Sequence, residues 1–170
     1  MLFRNREEAA RLLAEKLEEY RKESPVILAI PRGAVVMAKV IADRLDADLD
    51  VVLVRKIGAP NDPELAIGSV FESGRFYLNK VAQYFMLSED ELAALAKEEA
   101  KKLKQRRKRF SFCKSAVSLK DRTVIIIDDG IATGATVQAA IQAVKDQKAG
   151  KIVVATAVAS PEAITEMQTE

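Results

Sequence analysis

Four short runs with almost no polar side chain set the strongest limit on the fold: VILAI (26–30), DVVLV (50–54), TVIII (123–127) and KIVVATAVA (151–159). Wholly apolar runs of this length belong to strands buried on both faces, the pattern of a parallel sheet. Helical patterns lie between them. NREEAARLLAEKLEEYRKE places Ala10, Leu13, Leu17 and Tyr20 at helical spacing, with Asn5 as N-cap and Glu8 three residues on, and Pro25 ends it. GAVVMAKVIADRL and GATVQAAIQAVKDQ predict two more helices, and Gly150 stops the second. Strands alternating with helices predict an α/β domain with a mainly parallel sheet.

The middle of the chain departs from this rhythm. RKIGAPNDPELAIG (55–68) holds two Gly, two Pro and an Asn-Asp pair, and is expected to be a loop. SVFES and RFYLN flank Gly74 and predict a small hairpin. Ser88 and Glu91 then form a capping box for a long helix, acidic at its start and basic at its end, with Leu92, Leu95 and Leu103 as its expected packing stripe. Its basic stretch KKLKQRRKRF (101–110) follows acidic residues in the same helix, so a solvated or subunit-facing helix is expected over a nucleic-acid contact. The chain reads as one domain, 1–170, with an insertion at about 75–115. Ser160-Pro161-Glu162 starts a last helix, and little follows it, so a C-terminal strand and cover are expected to be lacking.

The totals exclude a good deal. Histidine is absent, which removes His triads, His general bases and most zinc or iron catalysis. One cysteine, Cys113, allows neither an internal disulfide nor a cysteine-based zinc site, and is read as inert. A net charge of +2 does not call for nucleic acid or an anionic membrane as partner, and no apolar run is long enough to span a bilayer. The expected location is the cytoplasm.

The chemistry gathers in TVIIIDDGIATGAT (123–136). Thr133, Gly134, Ala135 and Thr136 sit at a strand-to-helix junction, where free backbone N–H groups and the helix dipole favour an anion. Asp128 and Asp129 can accept hydrogen bonds from vicinal hydroxyls, as acidic groups do for ribose. Phosphate at one end and a diol at the other describe a 5-phosphoribosyl group. A G-x-G-x-x-G fingerprint and a Walker A loop are both missing from the sequence.

This stretch resembles the phosphoribosyl-pyrophosphate (PRPP) motif of type I phosphoribosyltransferases, and the PRG and RK-GAP segments resemble a phosphoribosyltransferase-like subgroup with a helical insertion. The resemblance covers most of residues 25–160. It implies an open, mainly parallel sheet with helices on both faces, plus the helical insertion and a small β-hairpin. It further implies that Asp128 and Asp129 hold the ribose hydroxyls, with Mg²⁺ bridging hydroxyls and pyrophosphate, so that both carboxylates meet the metal mostly through PRPP and water. Ala132, Thr133, Gly134, Ala135 and Thr136 would hold the 5′-phosphate. Pro31, Arg32, Gly33 and Ala34 would form the pyrophosphate loop, with a cis peptide at either Ile30–Pro31 or a neighbouring bond. Arg55 and Lys56 would begin a flexible catalytic loop facing the departing pyrophosphate.

Hypoxanthine-type members carry an Asp at the position of Ala132, whereas adenine-type and uracil-type members carry Ala. A general base must then come from elsewhere, and Glu64 is the candidate. The implied reaction moves phosphoribose from PRPP to a nitrogen of a small acceptor, a nucleobase-like heterocycle, with release of pyrophosphate by a homodimer. The alternative is a PRPP- or nucleotide-sensing regulator on the same fold. Plainer readings also stand: Asp128 and Asp129 as helix caps, PRGA as an ordinary turn, Arg55 and Lys56 as solvated charges, and Glu64 as a loop carboxylate.

Overall fold

The computed structural model describes residues 3–110, 117–132 and 134–167. In chain order the elements are α1 (Arg6–Lys16), β1 (Val26–Ala29), α2 (Ala34–Leu45), β2 (Asp48–Val51), β3 (Val54–Ala59), β4 (Asp62–Phe71), β5 (Phe76–Leu78), α3 (Glu89–Arg107), β6 (Thr123–Asp128), α4 (Ala135–Asp146), β7 (Lys151–Thr156) and α5 (Pro161–Met167). They fall into two compact units, residues 1–52 with 112–170, and residues 53–111.

The first unit is a four-stranded parallel sheet in the order β2-β1-β6-β7. β1 is buried throughout and β6 over Val124–Ile127, which is why both read as unbroken apolar runs. From β1 the chain crosses over through α2 to β2, toward one edge of the sheet. From β6 it crosses through α4 to β7, toward the other. Right-handed crossovers running in opposite directions put α2 and α4 on opposite faces. The direction reverses between β1 and β6, and in open α/β sheets the ligand crevice opens there, beyond the carboxyl ends of the strands. The opposite edge is tied shut by polar contacts. Arg122 donates to the Ser24 carbonyl at 2.7 Å and to Asp48 at 2.9 Å, while Thr123 donates to Glu23 at 2.6 Å.

α1 starts where expected, with the Asn5 side chain accepting from the Glu8 N–H at 2.9 Å. Glu8 itself turns back to the Arg4 N–H at 2.6 Å. Small residues on α1, Ala9, Ala10 and Ala14, are buried, and α1 packs on α2.

The second unit corrects one expectation. Residues 55–68 form most of the β3-β4 pair of an antiparallel β3-β4-β5 meander, so they are not a loop. The punctuating residues mark irregularities within the pair instead. The register shifts on both sides of Gly58, where a side chain would meet the Pro63 carbonyl at 2.5 Å, and Pro60 and Asn61 make the turn. The hairpin around Gly74 is present as β4-β5. α3 packs on β3 and β4 through Ala96, Ala100 and Leu103. The expected stripe is thus shifted: Leu103 is in it, whereas Leu92 and Leu95 are only half-buried. The basic end of α3 is drawn into ion pairs, Lys102 with Glu98 and Glu99, and Arg107 with Glu72.

The capping box at Ser88 is complete, with its side chain accepting from the Glu91 N–H and the Glu91 carboxylate accepting from the Ser88 N–H at 2.8 Å. Ser88→Ala is expected to destabilise by about 1 kcal/mol. Urea unfolding measures this, together with faster amide exchange in the first turn of α3.

Candidate functional site

Three segments of the first unit meet at the reversal point: the turn after β1, the acidic end of β6, and the loop leading into α4. After β1, Ile30 donates to the Ile127 carbonyl at 2.9 Å, which locks the start of the PRG turn to β6. The cis peptide is Pro31–Arg32, so the bond left open by the sequence is the one following Pro31. Arg32 is exposed, and Ala34 is buried as the first residue of α2.

Gly33 lies against Asp129. A Cβ there would come within 1.9 Å of Asp129 Oδ2 and 2.6 Å of Oδ1. Its φ of −61° is open to any residue, so close approach is what favours glycine here. The same Oδ2 accepts from Arg6 Nε at 2.9 Å and Nη2 at 2.8 Å. Asp128 Oδ1 accepts from the Asp129 N–H at 2.8 Å. Burial pushes the Asp128 carboxyl above its ordinary value of 3.8; the Asp129 charge adds to this, while the N–H groups of Asp129 and Gly130 oppose it.

The loop between β6 and α4 is clamped by the connection that follows β7. Ile131 is buried and donates to the Val158 carbonyl at 2.9 Å, and the Ser160 N–H donates to Ile131 at 2.9 Å. The Ser160 hydroxyl donates to the Ala132 carbonyl at 2.7 Å while accepting from the Ala163 N–H at 3.0 Å. Ser160 therefore caps α5, as its sequence suggests, and also holds the loop between β6 and α4. Gly134 has φ +77°, a left-handed conformation that side chains disfavour, and it leads into α4 without a side-chain cap. The first N–H groups of an α-helix have no intrahelical acceptor, so those at the start of α4 suit an anion. Ala132, Ala135 and Thr136 are exposed there, while Thr133 and Cys113 lie outside the described residues.

Arg55, Lys56 and Glu64 are in the second unit, on strands and not on the flexible loop expected of them. Lys56 pairs with Glu64 across the hairpin at 2.8 Å, and Arg55 pairs with Glu99 on α3. Burial pushes Glu99 up, but Lys102 and Arg55 outweigh it and hold the carboxyl below its usual range. The sequence pattern missed Arg6 and the second bond of Ser160. Arg6 looks like any charged residue opening an amphipathic helix, and nothing local signals a partner 123 positions away.

No group of three or more His, Cys, Asp or Glu able to hold a metal occurs among the described residues. Two adjacent carboxylates still suit Mg²⁺, a hard cation that keeps waters and takes further oxygens from substrate phosphates. No helix among the described residues is long and apolar enough to cross a membrane.

A parallel sheet with an acid pair and a helix N-terminus at its reversal point is an α/β arrangement whose groups can accept from hydroxyls and donate to an anion. Residues 2–168 match the phosphoribosyl transferase domain family, and the chain belongs to that family. It is similar to a Mycobacterium tuberculosis H37Rv protein named "Putative phosphoribosyl transferase Rv0571c", with 39% identity over 155 residues, 91% of this chain and 35% of that protein. The chain thus spans about a third of the length of the curated relatives it matches. The crystal structure of TT1426 from Thermus thermophilus matches with a TM-score of 0.87 at 41% identity, over 100% of this chain and 81% of that one. The fold is shared with a purine phosphoribosyltransferase from Pyrococcus horikoshii Ot3, at a TM-score of 0.57 and 21% identity, over 95% of this chain and 77% of that one.

Two substitutions probe this geometry. Gly33→Ala is expected to cost about 1–3 kcal/mol in urea unfolding, because the new methyl must displace the Asp129 carboxylate. Asp128 has a raised folded-state pKa, so the folded chain binds its proton more tightly than the unfolded chain does. Its contribution to stability therefore falls as pH rises from the unfolded pKa through the folded one. Asp128→Asn is expected to melt above wild type at pH 7, the gap closing below about pH 4. Thermal melts across that range check it, and a gap independent of pH contradicts it.

Proposed function

We propose that this chain binds PRPP with Mg²⁺ and transfers the phosphoribosyl group to a nitrogen of a nucleobase-like heterocycle, releasing pyrophosphate. The observation that carries the proposal is the meeting, within one unit, of the β6 acid pair, the PRG turn and the uncapped start of α4. The Asp128 and Asp129 carboxylates accept the ribose hydroxyls. The α4 N-terminus, with the Thr136 hydroxyl and the close backbone at Gly134, receives the 5′-phosphate. The turn at Pro31–Ala34 lies beside Asp129 and meets the pyrophosphate.

When bound, Mg²⁺ supplies charge neutralisation of the pyrophosphate oxygens, with Asp128 and Asp129 as the residues near enough to orient its waters and ligand oxygens. The burial that raises the Asp128 pKa favours a cation beside it. For the leaving pyrophosphate, Arg55 and Lys56 are the candidates on the sequence resemblance alone, and for the acceptor proton Glu64 is the candidate because Ala132 leaves that role unfilled. The exposed Ala132 provides no base, and Lys56 and Glu64 engage each other. These two facts favour a second reading, a PRPP sensor without transfer activity.

Calorimetry with PRPP and Mg²⁺ is expected to show binding by wild type and loss of more than tenfold in Asp128→Asn/Asp129→Asn, since each lost hydrogen bond to a charged group costs about 1.5–3 kcal/mol. Binding unaffected by the double change sinks the assignment. Pyrophosphate release with a panel of purine and pyrimidine bases then separates transferase from sensor: binding without release by any base selects the sensor.

A further inference from the structure

α1 is in most respects a packing element, with its buried alanines turned to the first unit and charged residues elsewhere. Its first residue does something else. Arg6 sends two N–H groups to a single oxygen of Asp129. The Arg6 side chain is 61% exposed and that of Asp129 29%, and an ion pair this open adds little to stability. What a planar guanidinium adds is direction, because two donors fixed in one fork hold a carboxylate in one orientation.

The Gly33 backbone lies against the same carboxylate, with no room for even a methyl group. Between Arg6 and Gly33, Asp129 has Oδ2 taken by the guanidinium, and its carboxyl group also lies within hydrogen-bond reach of that of Asp128. Arg6 and Asp129 line an open hollow of about 320 Å³ together with Phe3, Ala9, Met37 and Val158.

We propose that Arg6 is a positioning residue: it fixes Asp129 so that Oδ1 is presented to a ribose hydroxyl of PRPP, and it stays paired while the ligand is bound. The inference rests on the assignment of Asp129 to the ribose diol. It makes α1, a helix outside the nucleotide motif, part of the donor site.

The test is calorimetric titration of PRPP in excess Mg²⁺, up to millimolar PRPP, into the full chain as wild type, Arg6→Ala, Arg6→Lys, Asp129→Asn and the Arg6→Ala/Asp129→Asn double variant, each with a thermal melt. Arg6→Ala is expected to weaken binding about tenfold, the scale of removing a residue that orients a ligating group, with its melting temperature changed by no more than a few degrees. Arg6→Lys keeps the charge without the fork and is expected to recover part of the loss. In the Asp129→Asn background Arg6→Ala is expected to cause no further loss, a non-additivity that a merely structural role would not produce. Should Arg6→Ala fail to fold, Arg6→Gln, which keeps the stem, takes its place. Binding by Arg6→Ala within twofold of wild type, or an equal loss in both backgrounds, overturns the Arg6 assignment alone. A folded wild type that binds no PRPP overturns the proposed function and this inference with it.

Discussion

β1 and β6 pair in parallel from Val26 opposite Val124 to Ala29 opposite Ile127, with every one of those side chains buried. Hydrophobic burial of this kind contributes about 1.5–3 kcal/mol for each large aliphatic side chain. The pairing does more than fill a core. It sets side by side the two strands from which the chain departs in opposite directions, and so opens the crevice into which the PRG turn and the acid pair both project. The Ile30 N–H continues the ladder onto the Ile127 carbonyl, carrying the register up to the turn itself. A one-residue slip would reverse which side chains face each layer and pull Gly33 away from Asp129.

At the mouth of that crevice the electrostatics are arranged against the empty state. Asp128 is held half-buried beside a second carboxylate, an arrangement that costs free energy unless a cation or donors arrive. Arg6 offsets part of the charge from outside the motif, and the N–H groups of Asp129 and Gly130 from within it. A short loop further on, Gly134 turns the backbone so that α4 begins without a side-chain cap. Two adjacent carboxylates followed by helix N–H groups without intrahelical acceptors suit one molecule bearing both hydroxyls and phosphate.

Much of the first unit was legible because its signals are local. Runs of four or more buried aliphatic residues marked β1 and β6, Asn5 marked the start of α1, and Gly134 with the pattern after it marked the start of α4. The second unit was less legible. Gly58, Pro60 and Asn61 are turn and bulge formers, and inside a short antiparallel pair they look the same as in an open loop. Pairing with β4 decides which it is, and pairing is not a local property. The packing face of α3 was misplaced for a related reason: three leucines suggested the stripe, but Ala96 and Ala100 are the buried residues over β3 and β4, with Leu103 beside them.

The sequence by itself determined the class of fold and the alternation of strands and helices in the first unit, because these depend on hydrophobic period and caps. Only the tertiary structure decided which distant groups meet at the end of β6 and the loop after it. Arg6 on Asp129, Gly33 beneath the same carboxylate, and Ser160 on the Ala132 carbonyl join residues 123, 96 and 28 positions apart. Their side chains carry no mark of these partners, since hydrogen bonds and steric limits act over about 3 Å of space whatever the separation along the chain.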